Sequence, residues 1–142
     1  HADNPEFFEL LQQNDAHVVS DNTGFGTRAA DVLICEDGDP LEAIINYYFE
    51  EKPAATRQMG TQVERMERLL DLVKQYKADG VVASRLYMCD LWAFEHFLMR
   101  KRLHENNVPF LELEVDYTPE GQGQIKTRVQ AFVESLADRQ TA

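Results

Sequence analysis

Two thiols, Cys35 and Cys89, are the softest metal ligands and strongest potential nucleophiles in these 142 residues. Cys89 falls where an apolar, strand-like run ends and a helical pattern beginning at Asp90 takes over. In a parallel α/β fold that junction is the carboxyl edge of the sheet, where ligands gather and a first helical turn offers backbone N–H groups to an anion such as a thiolate. A buried, inert cysteine is the competing reading of the same position. Cys35 stands just before the acidic loop Glu36-Asp37-Gly38-Asp39 and is read as structural. Two cysteines without C-x-x-C spacing make neither a disulfide scaffold nor a zinc knuckle. Iron–sulfur clusters take several thiolates, so a complete cluster would need sequence from elsewhere.

Other residues offer chemistry less directly. Gly24-Phe25-Gly26-Thr27-Arg28-Ala29 superficially resembles a dinucleotide-binding turn, but Asp31-Val32-Leu33-Ile34-Cys35 does not look like the helix that such a turn must open. The preferred reading is a structural turn near a site, with Arg28 available to orient an anion or pair with an acid. Glu95 and His96 could form a proton-transfer pair only if both faced one cavity; neighbours on a helix point about 100° apart, so at most one should. Glu112, Glu114 and Asp116 share one side of a strand. Such a row suits metal or acid–base chemistry, yet without a histidine cluster it reads better as an exposed edge or a satisfied interdomain network. His17 and His104 are expected to be structural or solvent-facing.

The elements that must position these residues follow from periodicity and caps. Phe7, Phe8, Leu10 and Leu11 mark a short helix from Pro5 to about Asn14, and Ala16 to Asp21 reads as a first strand. Asp39-Pro40-Leu41-Glu42 has the order of a capped helix start, with Leu41, Ile44, Ile45, Tyr48 and Phe49 on an apolar face and Lys52-Pro53 at the end. Thr61 to Glu64 offers a second capping box, followed by Val63, Met66, Leu69, Leu70, Val73 and Tyr76 at helical spacing. Ala78-Asp79-Gly80 stops that helix, and a strand runs from Val81 towards Tyr87-Met88-Cys89. Asp90 should cap the next helix, whose apolar residues from Leu91 to Leu103 cover an angle wide enough to meet a second domain or subunit as well as the sheet. Val108 to Val115 gives another strand, and a last helix runs from near Gln122 to Asp138. Helices alternating with strands argue for a three-layer, Rossmann-like α/β domain with a mainly parallel sheet flanked by helices.

Composition narrows the function classes. The net charge of −11 opposes a nucleic-acid partner, because phosphate binding needs a concentrated positive surface. Arg100-Lys101-Arg102 is a local basic run on the exposed face expected of its helix. No apolar run approaches the roughly 20 residues of a membrane span, and no secretion signal opens the chain, so it reads as cytoplasmic. One core is expected over 1–142, and the abrupt start at His1-Ala2-Asp3-Asn4-Pro5 suggests a piece of a longer protein.

The order of these motifs carries a resemblance. Asn4-Pro5-Glu6, Val18-Val19-Ser20-Asp21, Gly26-Thr27-Arg28, Asp39-Pro40-Leu41-Glu42-Ala43, Lys77-Ala78-Asp79-Gly80-Val81-Val82, Met88-Cys89-Asp90, Glu114-Val115-Asp116-Tyr117, Gly123-Gln124-Ile125-Lys126-Thr127-Arg128 and Ala131-Phe132 follow one another as in a known group. The chain resembles the C-terminal domain of a subunit in the 2-hydroxyacyl-CoA dehydratase and benzoyl-CoA reductase superfamily, the dehydratase D-component family. Relatives often carry cysteine at the turn matching Gly24 and near Pro53-Ala54, where this chain has none.

The resemblance implies a two-subunit iron–sulfur enzyme, with this chain as the C-terminal-type domain of a longer subunit, lacking an N-terminal cluster-binding portion. It implies a [4Fe-4S] cluster in the full-length protein, absent from this fragment, with Cys89 as one thiolate ligand. An ATP-dependent iron–sulfur activator would deliver an electron to an acyl-CoA substrate held with a homologous second subunit. The full-length complex would then be a lyase that dehydrates a 2-hydroxyacyl-CoA to an enoyl-CoA through a ketyl radical anion, while the isolated fragment would be inactive. Arg28 and Asp90 would organise the site or hold an anion. A benzoyl-CoA reductase subunit and a noncatalytic scaffold of the same fold are the alternatives.

Overall fold

The computed structural model describes residues 5–24, 26–55, 58, 60–116 and 122–141. Its centre is a pair of six-residue strands, β1 (Val81–Leu86) and β2 (Phe110–Val115), joined in parallel with Val81 opposite Phe110 and Leu86 opposite Val115. Parallel neighbours need a long crossover, and α5 (Asp90–Glu105) supplies it. On one face Val81, Ala83 and Phe110 pack against Met66, Leu69 and Leu70 of α4 (Gln62–Gln75) and Met99 and Leu103 of α5. On the other, Val82, Leu111, Leu113 and Val115 meet Leu11 of α1 (Pro5–Gln12) and Ile125, Val129, Phe132 and Val133 of α6 (Gln122–Thr141). The alternation of strand side chains thus builds two cores, and the architecture is the expected α/β arrangement, helices flanking a small parallel sheet.

The sheet is smaller than the sequence pattern predicts, because Ala16 to Asp21 forms no strand and joins neither edge of the β1–β2 pair. An apolar, β-branched run becomes a strand only when a ladder partner is at hand. Here Val18 and Val19 stay about half exposed along an open cleft, and the segment ends in a local knot at Asp21 instead.

Local signals set the start of α3 but not of every helix. The Asp39 carboxylate accepts hydrogen bonds from the N–H groups of Leu41 and Glu42, and Pro40 takes the first position of α3 (Pro40–Asn46), as expected. The chain then widens into a π-helical turn over Tyr47–Glu51, with Lys52 N–H donating to the Tyr47 carbonyl at 2.7 Å. Buried Tyr47 donates from its hydroxyl to the carbonyl of Ala29 in α2 (Thr27–Ala30), while Leu41, Ile44, Ile45, Tyr48 and Phe49 remain exposed. The capping box expected at Thr61 does not form: its hydroxyl donates to the Gln58 carbonyl and accepts from Arg65, so it is unavailable to the end of α4. Among the described residues no helix is long and apolar enough to cross a membrane.

Arg65 explains why that cap is given up. Its guanidinium is buried and forks onto the equally buried Glu95 of α5, Nε to Oε1 at 2.7 Å and Nη2 to Oε2 at 2.8 Å. Its remaining nitrogen, Nη1, donates to the carbonyls of Ala55 and Gln58 and to Thr61. One side chain therefore ties α4 to α5 and fixes the loop that leads into α4. Glu95→Leu, which strands the buried guanidinium, is expected to cost about 3–5 kcal/mol, and the double variant Arg65→Met/Glu95→Leu to recover most of it. Urea unfolding midpoints of the three proteins check this.

Candidate functional site

The two strands run out at the same level, and the Tyr87 N–H donates to the Val115 carbonyl at 2.9 Å, carrying the ladder one residue past β1. A left-handed Met88, with φ 59°, then turns the chain sharply, and the Cys89 N–H closes that turn onto the Leu86 carbonyl. This places Cys89 at the carboxyl edge of the sheet as the residue that opens α5, its own carbonyl accepting from the Ala93 N–H. Asp90, expected to cap, is instead the first residue inside the helix, because the turn closes one residue early. Its carboxylate sits in the first turn, where the helix dipole favours negative charge.

The Cys89 side chain makes no capping hydrogen bond, and its thiol is free and half-buried. Around it in sequence, Tyr87, Met88, Leu91 and Phe94 are exposed, Met88 to 77% and Phe94 to 61%. The thiol is thus not sealed in the core, and the residues that flank it in sequence leave large apolar side chains exposed. Cys35 is exposed, its sulfur 3.8 Å from the Asp37 carbonyl oxygen. Among the described residues no group of three or more His, Cys, Asp and Glu side chains is placed to hold a metal ion. The donor set of this chain fits the contribution of one thiolate to a cluster, with further ligands coming from outside it.

Beneath α5 the carboxyl half of one sheet face turns from apolar to charged. Arg85 donates from Nε to Glu112 at 3.2 Å and pairs through Nη2 with Glu114, while Arg100 pairs with Glu112 from above. Burial alone would raise the Glu112 pKa, but the hydrogen bond from Arg85 and the charge of Arg100 overcome it and hold it below the ordinary carboxylate value. The carboxylate pair of β2 is therefore satisfied by cations of its own chain, and an interdomain partner is not needed to balance it. Glu95 and His96 both point inward, in the different directions that their helical spacing dictates, Glu95 to Arg65 and His96 to Glu112. His96 is sealed between the edges of Trp92 and Phe110, with Nδ1 3.5 Å from Glu112. Neither forms a proton-transfer pair with the other. His17 and His104 are solvent-exposed, as expected.

The glycine–arginine turn is organised by Asp21. Its carboxylate accepts from the N–H and hydroxyl of Thr23 and the N–H and hydroxyl of Thr27. Burial opposes its ionisation, but the hydrogen bonds from Thr27 and Thr23 win and lower its pKa to about 2. Gly26 is required there, since a Cβ would lie 1.9 Å from the Asp21 carboxylate oxygen. Asp21, Thr23, Gly26 and Thr27 form one wall of an open cleft of about 390 Å³ shared with Phe8, Val18, Val19 and Tyr76. Arg28 follows on α2, half-buried. Sequence reading missed Arg65 and Arg85; for Arg85 the signal was the strand register, which sets it opposite Glu114.

Comparison with known proteins adds an independent finding. Residues 1–136 match the family described as 2-hydroxyglutaryl-CoA dehydratase, D-component. The chain is 28% identical over 127 residues to the putative dehydratase subunit YjiM of Escherichia coli K12, covering 89% of this chain and 32% of that protein. It is 24% identical over 139 residues to the (R)-phenyllactyl-CoA dehydratase beta subunit of Clostridium sporogenes, covering 95% and 36%. It is 25% identical over 140 residues to the beta subunit of (R)-2-hydroxyglutaryl-CoA dehydratase of Acidaminococcus fermentans, covering 93% and 36%. The chain therefore spans about a third of the length of these relatives.

Two outcomes follow from the geometry. Burial, opposed by Glu112, holds the His96 pKa below its ordinary 6.5. An unfolded chain takes up that proton near pH 6.5 while the folded one resists it, so this contribution is complete above pH 6.5 and is lost as pH falls through the folded value. Unfolding midpoints between pH 7.5 and 5.5 should fall with acid in the parent and fall less in His96→Leu. Separately, Gly26→Ala should displace the Asp21 carboxylate and cost about 1–3 kcal/mol, measured as a lower midpoint at neutral pH.

Proposed function

The chain belongs to the 2-hydroxyglutaryl-CoA dehydratase D-component family, and on that premise we propose that it is the part of a dehydratase subunit that presents one cluster thiolate, Cys89, to an acyl-CoA site. The observation that carries this reading is the position of Cys89. It is a free, half-buried thiol at the carboxyl edge of a parallel sheet, at the N-cap position of a 16-residue helix, and its side chain makes no capping hydrogen bond. An inert core cysteine would be fully buried, and this one is partly exposed beside the exposed Tyr87, Met88 and Leu91.

In this reading a [4Fe-4S] cluster, completed by thiolates from the rest of the subunit, supplies one-electron chemistry to the thioester of a 2-hydroxyacyl-CoA, which loses water to give an enoyl-CoA. The chain's own residues do the positioning. The left-handed turn at Met88 and the ladder bond at Tyr87 fix where the Cys89 sulfur emerges. The unpaired N–H groups of the first turn of α5 provide a favourable field for a thiolate or a sulfide. Tyr87, Met88, Leu91 and Phe94 provide the apolar cover that keeps water from the reducing centre once a facing surface closes on them. Asp90 organises the mouth of the helix. The names of the relatives support a second subunit as partner, since those from Clostridium sporogenes and Acidaminococcus fermentans are beta subunits. An ATP-dependent iron–sulfur activator is the proposed electron source, and the cytoplasm the proposed compartment.

Anaerobic iron and acid-labile sulfide analysis of the full-length complex, with and without Cys89→Ala, tests the ligand role. Loss of about one cluster per subunit, or its conversion to a spectroscopically altered form, is expected; unchanged iron, sulfide and spectrum reject it. Product analysis with the same complex separates the chemistry, because dehydration conserves the overall redox state of the substrate whereas ring reduction of benzoyl-CoA consumes electrons.

A further inference from the structure

Arg28 is held in place with unusual care for a side chain that makes no hydrogen bond to a described residue. The residue before it, Thr27, is locked by its N–H and hydroxyl to Asp21. The residue after it, Ala29, is fixed by the buried Tyr47 hydroxyl on its carbonyl at 2.9 Å. Asp31, at the end of the same turn, is paired with Arg68 of α4. Three anchors therefore set the backbone around Arg28, while its guanidinium lies half-buried over Gly24, Nη2 being 3.1 Å from where a Cβ would stand.

The neighbouring guanidiniums have partners of their own. Arg65 is consumed by Glu95 and three oxygens of the loop before α4, and Arg68 forms an ion pair with Asp31, although its buried Nε has no hydrogen-bond partner. Their charges bear on Arg28 nonetheless: burial first, then Arg65 and Arg68, push its pKa below the ordinary arginine value. A half-buried guanidinium packed over Gly24, with no side-chain hydrogen bond to a described residue, would have its donors satisfied by an oxyanion, which would also offset the like charges of Arg65 and Arg68.

The location is consistent with a role near Cys89. The end of α4 leads through a short connection into the start of β1, so the first turn of α4, which carries Arg65, lies towards the carboxyl edge of the sheet. Glu95, which binds Arg65, is six residues beyond Cys89 on α5, about 9 Å along the helix.

We infer that Arg28 is a binding residue for an oxyanion of the substrate, donating its fork to a phosphate or a carboxylate brought to the carboxyl edge of the sheet from the Gly24–Gly26 side. This deepens the acyl-CoA reading and rests on it for the identity of the ligand, though the anion site itself can be tested without cluster or turnover. The two sources of such an anion are the phosphates of the CoA carrier and a carboxylate on the acyl chain.

Calorimetric titration of the purified protein at low ionic strength with 3′,5′-ADP, inorganic phosphate and glutarate distinguishes them. Saturable binding of 3′,5′-ADP and phosphate but not glutarate assigns the carrier, and the reverse assigns the acyl carboxylate. In either case Arg28→Gln should weaken binding by about tenfold or more, Arg28→Lys should retain part of it, and Arg102→Gln on the far end of α5 should leave it unchanged. The inference is overturned if none of the three probes saturates, or if Arg28→Gln binds as well as the parent. It is also overturned if that variant fails to fold, which would make the guanidinium a structural group. Any of these results leaves the Cys89 assignment standing, since iron and sulfide content report on that separately.

Discussion

A guanidinium–carboxylate pair buried between two helices governs how the rest of the chain is arranged. Removing both charges from water costs several kcal/mol for each ion, and the bidentate geometry of Arg65 and Glu95 offsets that only if every remaining donor is also satisfied. The requirement spreads outward. It draws in the carbonyls of Ala55 and Gln58, takes the Thr61 hydroxyl away from the helix end, and so shapes the approach to α4. It also fixes the rotation of α5 about its axis. With Glu95 directed at α4, His96 must turn under the helix towards Glu112, and Leu91, Phe94 and Phe97 are left facing outward.

That rotation connects packing to the thiol. Cys89 opens the same helix, and the rigid winding of α5 transmits the orientation set at Glu95 back to its first turn. The charged layer of Arg85, Arg100, Glu112 and Glu114 secures the helix from below, replacing the apolar contacts that Met99 and Leu103 make further along. Two different kinds of attachment, ionic near the carboxyl edge and hydrophobic away from it, hold one helix in one pose. The exposed groups at the carboxyl edge are then not needed to hold the helix in position.

Much of this was legible in the residues. Helical spacing in α4, the Asp39-Pro40 start of α3 and the alternation of β2 are local signals, and each produced its element within a few positions. Cys89 stood out because a strand ended and a helix began beside it. The failures came where a group was claimed by, or left without, a partner that the local pattern does not reveal. Ala16 to Asp21 has the composition of a strand but finds no place in the ladder, and Thr61 has the sequence of a cap but is claimed by Arg65 from the next turn. Arg65 and Glu95 lie 30 positions apart, and nothing in either segment alone announces that they meet. The apolar face recognised in α3 and the turn after it lies open, while Tyr47 and Ala43 take the interior.

Gly80 gives the molecule a direction. With no side chain at the start of β1, the Phe132 ring and Leu136 of α6 close down on the backbone, near enough that even a methyl group there would lie 2.8 Å from the ring. The amino end of the sheet is thereby covered by the Phe132 ring, whereas the opposite end carries the thiol. Any side chain larger than hydrogen at this position would have to push α6 off the sheet, so the close seating of the last helix depends on that one glycine.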